Sequence, residues 1–178
     1  MEATESYAVE FPNIELSEDA LVGQPGDYYA EPTFTSGALR FCAVQLGGAH
    51  ALFTATAEFV QAQGRGDDPF QLQRLGQMAV LMESGDQWLA RACDWLEASF
   101  IDASSLAVQA QMMRIAIEEI CTRIMQLVEV SVGARGLTSP EPFARTLRDL
   151  QMYLRQAGFD EAFQRVGRHV IQEQLPRG

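Results

Sequence analysis

Two arginines, a carboxylate and a phenol lie close together near the carboxyl-terminal end of the sequence. Arg145, Arg148, Asp149 and Tyr153 fall within one helical pattern, in which apolar residues recur every three or four positions. A carboxylate in such a cluster could act as an acid–base group. We interpret Arg148 and Asp149 instead as a structural ion pair or a tie between helices.

The sequence lacks the motifs of several other catalytic mechanisms. The sequence has no G-x-S-x-G elbow, no phosphate-binding loop ending in Gly-Lys, since it has no lysine, and no G-x-G-x-x-G after a strand. Glu118, Glu119 and Glu129 invite a di-iron interpretation, but such sites need paired Glu-x-x-His motifs, and neither His50 nor His169 completes one. We therefore predict no metal site, and we interpret His50 as a packed or hydrogen-bonded histidine.

The stretch from Ser139 to Ile171 resembles the carboxyl-terminal signature of the acyl-CoA dehydrogenase family. In that family an R-D dipeptide late in one helix precedes a tyrosine, a glycine-containing turn and a last helix, and Arg148-Asp149, Tyr153 and Gly158 follow the same order. The family's catalytic glutamate stands directly before the glycine, where this sequence has Ala157, which cannot exchange a proton. The resemblance, closest to the divergent branch of the family, implies a fold and an FAD cofactor but no catalytic residue in this chain.

The same resemblance implies cofactor-binding residues in two other places. Phe70 and Gln71 match the end of a family pattern that begins R-x-x-F-G and touches the FAD of a neighbouring subunit, with Arg65 as the arginine on a shortened loop. Gly133 and Gly136 match in part a Q-x-x-G-G-x-G turn that approaches the flavin pyrophosphate, although Val130 holds the glutamine position.

Helical periodicity extends from about Ser36 almost to the end of the sequence. It predicts one helix over about 36–63, a second that begins at the Asp68-Pro69 pair, and a third over about 104–132 that ends in the segment Gly133-Ala134-Arg135-Gly136. A fourth helix capped by Ser139 and a short fifth opened by Asp160 follow. The fold class is therefore all-α: an up-and-down four-helix bundle plus a short C-terminal helix, over residues 36–178.

Three further features of the helical part lead to expectations. Gly47-Gly48 in the middle of the first helix indicates a close helix crossing or the approach of a cofactor. The second helix should present one apolar face, and the third, with the widest apolar stripe, should be central. The expected face of the second helix comprises Leu72, Leu75, Ala79, Met82, Leu89, Cys93 and Leu96.

The first 35 residues form an irregular extension in this interpretation. Tyr7 to Ile14 has β-type and aromatic residues and predicts a short strand or two, and residues 23–27 are a strong turn cluster. The segment resembles loosely the end of the family's middle β-domain. The resemblance thus implies a chain that lacks the N-terminal helical domain and nearly all of the β-domain.

Composition limits the function further. The formal charge of −11, with 13 arginines, argues against a nucleic-acid partner, because phosphate binding needs a basic face. Cys42, Cys93 and Cys121 show no C-x-x-C spacing and are expected to be buried, reduced thiols. The sequence shows no signal peptide and no apolar run of membrane-spanning length, so we expect a cytoplasmic protein with no membrane partner.

Two functions follow from the resemblance. The chain is a fragment or subunit of an acyl-CoA dehydrogenase-like flavoprotein, an oxidoreductase on CH–CH bonds of acyl thioesters only if a partner supplies the missing domains. Alternatively, it is a non-catalytic helical oligomerisation module that binds no flavin. Either function predicts exposed apolar surface on the bundle, covered in a homodimer or homotetramer or by a second acyl-CoA dehydrogenase-like subunit.

Overall fold

The computed structural model describes residues 7–30, 33–97, 102–138, 143–155 and 159–174 and consists of helices and loops. The helices, in chain order, are α1 (Thr33–Ala62), α2 (Pro69–Glu97), α3 (Ala103–Gly136), α4 (Phe143–Leu154) and α5 (Phe159–His169). A π-helical turn, Val170–Gln174, follows α5. The predicted all-α bundle with an irregular N-terminal extension is confirmed, and none of the described helices is long and apolar enough to cross a membrane.

Helix α3 is the centre of the bundle. It packs against α1, α2, α4 and α5, and α1 in turn packs against α2 and α4. The whole predicted stripe of α3 is buried, which confirms its central place: Leu106, Ala110, Met113, Ile117, Ile120, Ile124 and Leu127.

The start of α3 is fixed by Asp102. Its carboxylate accepts hydrogen bonds from the backbone N–H groups of Ser104 and Ser105, both at 3.0 Å, and from their hydroxyls. These bonds satisfy amides that have no partner within the helix. The hydrogen bonds from the two serine hydroxyls, then those from the amides, hold the pKa of Asp102 well below its ordinary value of 3.8.

We expect this cap to make stability depend on pH. Because the pKa of Asp102 is lower in the folded chain than in the unfolded chain, its stabilisation is complete above about pH 3.8 and is lost as the pH falls toward the folded value. The variant Asp102→Asn keeps a capping side chain without the titration. The difference in unfolding free energy between wild type and Asp102→Asn, measured by urea titration from pH 6 downward, should shrink below about pH 4. A difference that does not change with pH would contradict this role.

The end of α3 lies in the predicted segment Gly133-Ala134-Arg135-Gly136, and it contains a kink that the sequence pattern does not predict. The helix continues past Gly133 to Gly136, and Gly133 itself has φ 60° and ψ −169°, a conformation open essentially to glycine alone. Gly133 therefore kinks the helix rather than ending it, and Leu137 is the C-cap.

The face that α2 buries also differs from the prediction. Leu72 and Leu96 are more than half exposed and Cys93 is exposed, so the prediction of three buried thiols is wrong at Cys93. Cys42 and Cys121 are buried as predicted, and burial raises the pKa of each thiol to about 12. The residues that α2 does bury lie one position away from the predicted stripe over much of the helix: Gln71, Met78, Met82, Gly85, Ala92 and Trp95.

Glycines bring three helices close together. A Cβ on Gly48 of α1 would stand 3.3 Å from Leu150 of α4, so the expected close crossing is confirmed at this residue, while Gly47 is exposed. A Cβ on Gly85 of α2 would stand 2.6 Å from the Leu46 side chain of α1.

The strand predicted over Tyr7 to Ile14 does not form. Residues 7–30 are irregular apart from two short 3-10 turns, Glu18–Ala20 and Asp27–Tyr29, and all of them are exposed. A strand needs a partner for its backbone groups, and the described neighbours of this segment are helices. The turn cluster is confirmed, with Gly23 and Gly26 at positive φ.

The last two predicted helices are both present, as α4 and α5. The predicted cap Ser139 lies outside the described residues, and α4 is described from Phe143. The fifth helix is confirmed and begins at Phe159, one residue before Asp160.

Candidate functional site

The first turn of α2 is held by Asp68. Its Oδ1 accepts hydrogen bonds from the backbone N–H groups of Phe70 (2.9 Å) and Gln71 (3.3 Å), and its Oδ2 accepts one from Arg65 Nη2 at 2.7 Å. The Arg65 guanidinium, helped by these amides, holds the pKa of Asp68 below its ordinary value. The predicted cap is therefore confirmed, and the acidic group already occupies the positive end of the helix dipole.

Gln71 joins the start of α2 to the end of α3. Its side chain is fully buried, and its Nε2 donates a hydrogen bond to the backbone carbonyl of Ser131 at 3.1 Å. Its Oε1 is buried without a hydrogen-bond partner. Because Ser131 stands two residues before Gly133, this bond places the first turn of α2 beside the kink in α3.

The two glycines of the α3 exit have different surroundings. A Cβ on Gly133 would meet no atom within 4 Å, so a ligand could approach the backbone there. Gly136 is buried, and a Cβ there would collide with Val132 of the same helix end. Gly133 is thus open on one side, whereas Gly136 is required for packing.

Accessibility divides the five predicted cofactor-binding residues. Phe70 is 66% exposed, the Arg65 side chain is about half exposed, and Gly133 is open on one side. Gln71 and Gly136 are buried. The structure therefore brings Gln71 next to the Gly133 kink, with Phe70 adjoining it on α2, and leaves Arg65, Phe70 and Gly133 able to touch a ligand.

Sequence reasoning did not single out Ser131, which completes this arrangement. It contributes a backbone carbonyl, a group that every residue has, and its hydroxyl donates to the Leu127 carbonyl at 2.7 Å. The residue type therefore gave no signal.

The carboxyl-terminal cluster ties helices together. Asp149 forms an ion pair with Arg145 along α4 at 3.7 Å, and the Tyr153 carbonyl accepts a hydrogen bond from Gln45 Nε2 of α1 at 3.2 Å. The Tyr153 ring contacts Phe41 edge-on. These contacts position the end of α4; Ala157 and Gly158, which follow it, lie outside the described residues.

The His50 side chain is hydrogen-bonded, as predicted. Its Nε2 lies 2.9 Å from Asp86 Oδ1 of α2, and both side chains are half exposed. The pair links α1 to α2. Among the described residues, no group of three or more acidic, histidine or cysteine side chains could hold a metal ion.

A comparison with known protein families decides the ancestry of this bundle. The family described as acyl-CoA dehydrogenase, C-terminal domain, matches residues 25–172, most of the sequence. The chain belongs to the acyl-CoA dehydrogenase family. No curated protein and no solved structure matches the sequence.

Acyl-CoA dehydrogenases depend on FAD in general, so the candidate site can be tested for its fit to that group. A flavin nucleotide needs hydrogen-bond donors for its pyrophosphate and apolar or aromatic surface for its rings. In this acyl-CoA dehydrogenase domain, Arg65 offers a half-exposed guanidinium and Phe70 an exposed aromatic ring, and the space beside Gly133 is open. The Gln71 amide and the first N–H groups of α2 do not, because Ser131 and Asp68 already use them.

Proposed function

We propose that this chain supplies the C-terminal helical domain of an acyl-CoA dehydrogenase-like flavoprotein. The substrate class is acyl thioesters, oxidised at a CH–CH bond, provided that a partner or further chain supplies the rest of the active site. Family membership supports this proposal. The observation that carries it within the structure is the accessible group formed by Arg65, Phe70 and Gly133 beside the Gln71–Ser131 link.

Each accessible residue has a separate part in the proposed site. Arg65 would face phosphate with the guanidinium nitrogens that Asp68 does not use, and Phe70 would cover a ring with its exposed face. Gly133 would let the ligand approach the backbone of α3. When bound, FAD supplies the acceptor for the electrons of the oxidation. Because Ala157 stands at the family's glutamate position, the proton acceptor must come from elsewhere.

A specific observation favours the second candidate, a non-catalytic helical oligomerisation module that binds no flavin. Two of the donors expected to face the cofactor are already used: Gln71 Nε2 by Ser131, and one Arg65 nitrogen by Asp68. Val130, where the family has glutamine, is exposed. In that case the hydrogen bond from Gln71 to the Ser131 carbonyl would serve only to hold α2 against α3.

The proposal extends to partners and location. We propose a homodimer or homotetramer through the bundle, or assembly with a second acyl-CoA dehydrogenase-like subunit, to cover the exposed apolar side chains of the helices. These include Phe41, Val44, Leu72, Leu96 and Val130. The free thiols of Cys42, Cys93 and Cys121 support a reducing compartment, which we take to be the cytoplasm.

Titration with FAD tests the two candidates. We expect the purified protein to show bound-flavin absorption bands after addition of FAD and removal of free ligand. Phe70→Ala should weaken FAD binding several-fold, because an aromatic contact contributes about 0.5–1.5 kcal/mol. Val80→Ala, an equally exposed apolar residue further along α2, is the matched control and should bind as wild type does. A colourless protein that ignores FAD would overturn the flavin proposal in favour of the module.

A further inference from the structure

The segment of residues 7–30, which we call the arm, is both acidic and apolar. It carries five acidic side chains and no basic one: Glu10, Glu15, Glu18, Asp19 and Asp27. It also carries nine large hydrophobic side chains, each at least 56% exposed: Tyr7, Val9, Phe11, Ile14, Leu16, Leu21, Val22, Tyr28 and Tyr29. An apolar surface of this size on a soluble chain marks an interaction site.

The arm is tethered to the bundle at its carboxyl-terminal end. The Tyr28 and Tyr29 rings lie with centroids 6.0 and 5.5 Å from that of Phe34, in the first turn of α1. The family match begins at residue 25, so most of the arm lies outside it. None of the five predicted cofactor-binding residues lies in the arm.

The surface of α4 and α5 has the complementary character. Residues 143–169 carry five arginines against three acidic side chains, in a protein with a formal charge of −11. The side chains of Arg145, Arg155 and Arg165 are each more than half exposed, and each also forms an ion pair within its own chain, with Asp149, Glu118 and Glu161 respectively. Apolar side chains stand among them, with Met152 and Phe163 both about half exposed or more. In the part of the chain that the structure describes, α4 and α5 each pack on α3 and not on each other. We call these exposed side chains of residues 143–169 the arginine face.

We propose that the arm of one copy docks on the arginine face of a second copy, and that the second copy returns the same contact. The charges of the two surfaces are opposite, and both surfaces add exposed apolar side chains. A reciprocal contact of this kind closes as a two-fold dimer and leaves neither arm uncovered.

The available area suffices for a stable dimer. Buried aromatic side chains cover about 150–250 Å² each, so the four aromatic rings of one arm contribute roughly 600–1,000 Å². Two arms in a reciprocal dimer therefore reach the roughly 1,200–2,000 Å² typical of specific interfaces. Extended, the 24 residues of the arm span about 80 Å, which is long enough to reach a neighbouring bundle.

The first test removes apolar contact from the arm. We expect the full chain to sediment as a dimer at micromolar concentration. Phe11→Ser should raise the dimer dissociation constant by about a hundredfold, because each copy loses one buried ring that contributes about tenfold. Val80→Ser removes an equally exposed apolar side chain from α2 and should leave the constant unchanged. A monomeric wild type, or a Phe11→Ser protein that dimerises normally, would overturn the proposal.

The second test exchanges the charges. In one variant the arm carries Glu10→Arg, Glu15→Arg, Glu18→Arg and Asp19→Arg, which changes its net charge from −5 to +3. In the other the arginine face carries Arg148→Glu and Arg168→Glu, which changes its net charge from +2 to −2. Each variant alone should be monomeric, because arm and face then have like charges. A mixture of the two should form a heterodimer, in which both contacts again pair opposite charges.

Each other result of the exchange would overturn the proposal. If the arm docked on its own bundle, the mixture would stay monomeric. If the copies met through other faces of the bundle, both variants alone would still dimerise. Far-ultraviolet circular dichroism, unchanged in each variant, establishes that the bundle is folded, and neither result depends on FAD.

Discussion

Phe143→Ala is expected to lower the free energy of unfolding by about 3–5 kcal/mol, the cost of removing a fully buried aromatic ring. Phe143 begins α4 and is 1% exposed, and among the described residues it is the bulkiest of the fully buried side chains. Its ring packs edge-on against Phe59 of α1, with centroids 5.6 Å apart at an interplanar angle of 84°. The ring therefore fixes the short helix α4 to α1, and urea-induced unfolding monitored by circular dichroism measures its contribution.

A matched substitution separates burial from residue type. Phe70→Ala makes the same chemical change at a phenylalanine that is mostly exposed in the first turn of α2. We expect a change within about 0.5 kcal/mol there, as for other surface positions. If the two substitutions destabilised the protein equally, the inference that the Phe143 ring is buried between α4 and α1 would be wrong.

The central helix could be predicted almost completely from the sequence. Its stripe from Leu106 to Leu127 contains apolar residues at nearly every inward position, so periodicity alone identified the buried face. Its glycines located its end, since Gly133 leaves the helical conformation and α3 ends at Gly136. The pattern did not predict that a last helical turn would follow the kink at Gly133.

Helix α2 shows where periodicity fails. Two of its buried positions hold Gln71 and Gly85, which do not contribute to an apolar pattern. Leu72 and Leu96 do contribute to that pattern but are exposed. The apolar pattern therefore pointed to a neighbouring face and placed Cys93 inside. A glycine at a helix crossing and a glutamine bonded to a backbone carbonyl are both chosen by the tertiary structure, which a single sequence does not display.

The arm failed as a predicted strand for a related reason. Its alternating apolar residues, such as Tyr7, Val9 and Phe11, favour a strand, but strand formation needs a second strand. The described contact of this segment with the bundle is made by Asp27–Tyr29 with helix α1. For the candidate site, the resemblance located the two chain segments that meet, at Gln71 and near Gly133. It did not predict that Gln71 would be buried and already hydrogen-bonded.

Gly85→Ala is expected to destabilise the protein by about 1–3 kcal/mol, although alanine favours helix more than glycine does by about 1 kcal/mol. A Cβ at this buried position of α2 would stand 2.6 Å from Leu46 Cδ1, and Leu46 is itself fully buried in α1. Because the Leu46 side chain is enclosed in the core, the two helices must separate to admit the methyl group.

Gly76→Ala, in the same helix, supplies the opposite expectation. Gly76 is exposed and a Cβ there would meet no atom within 4 Å, so the helix propensity of alanine should raise the free energy of unfolding by up to about 1 kcal/mol. Thermal or urea-induced unfolding of the two variants should therefore shift in opposite directions. Shifts of the same sign would mean that α1 and α2 do not cross closely at Gly85, because propensity alone would then account for both substitutions.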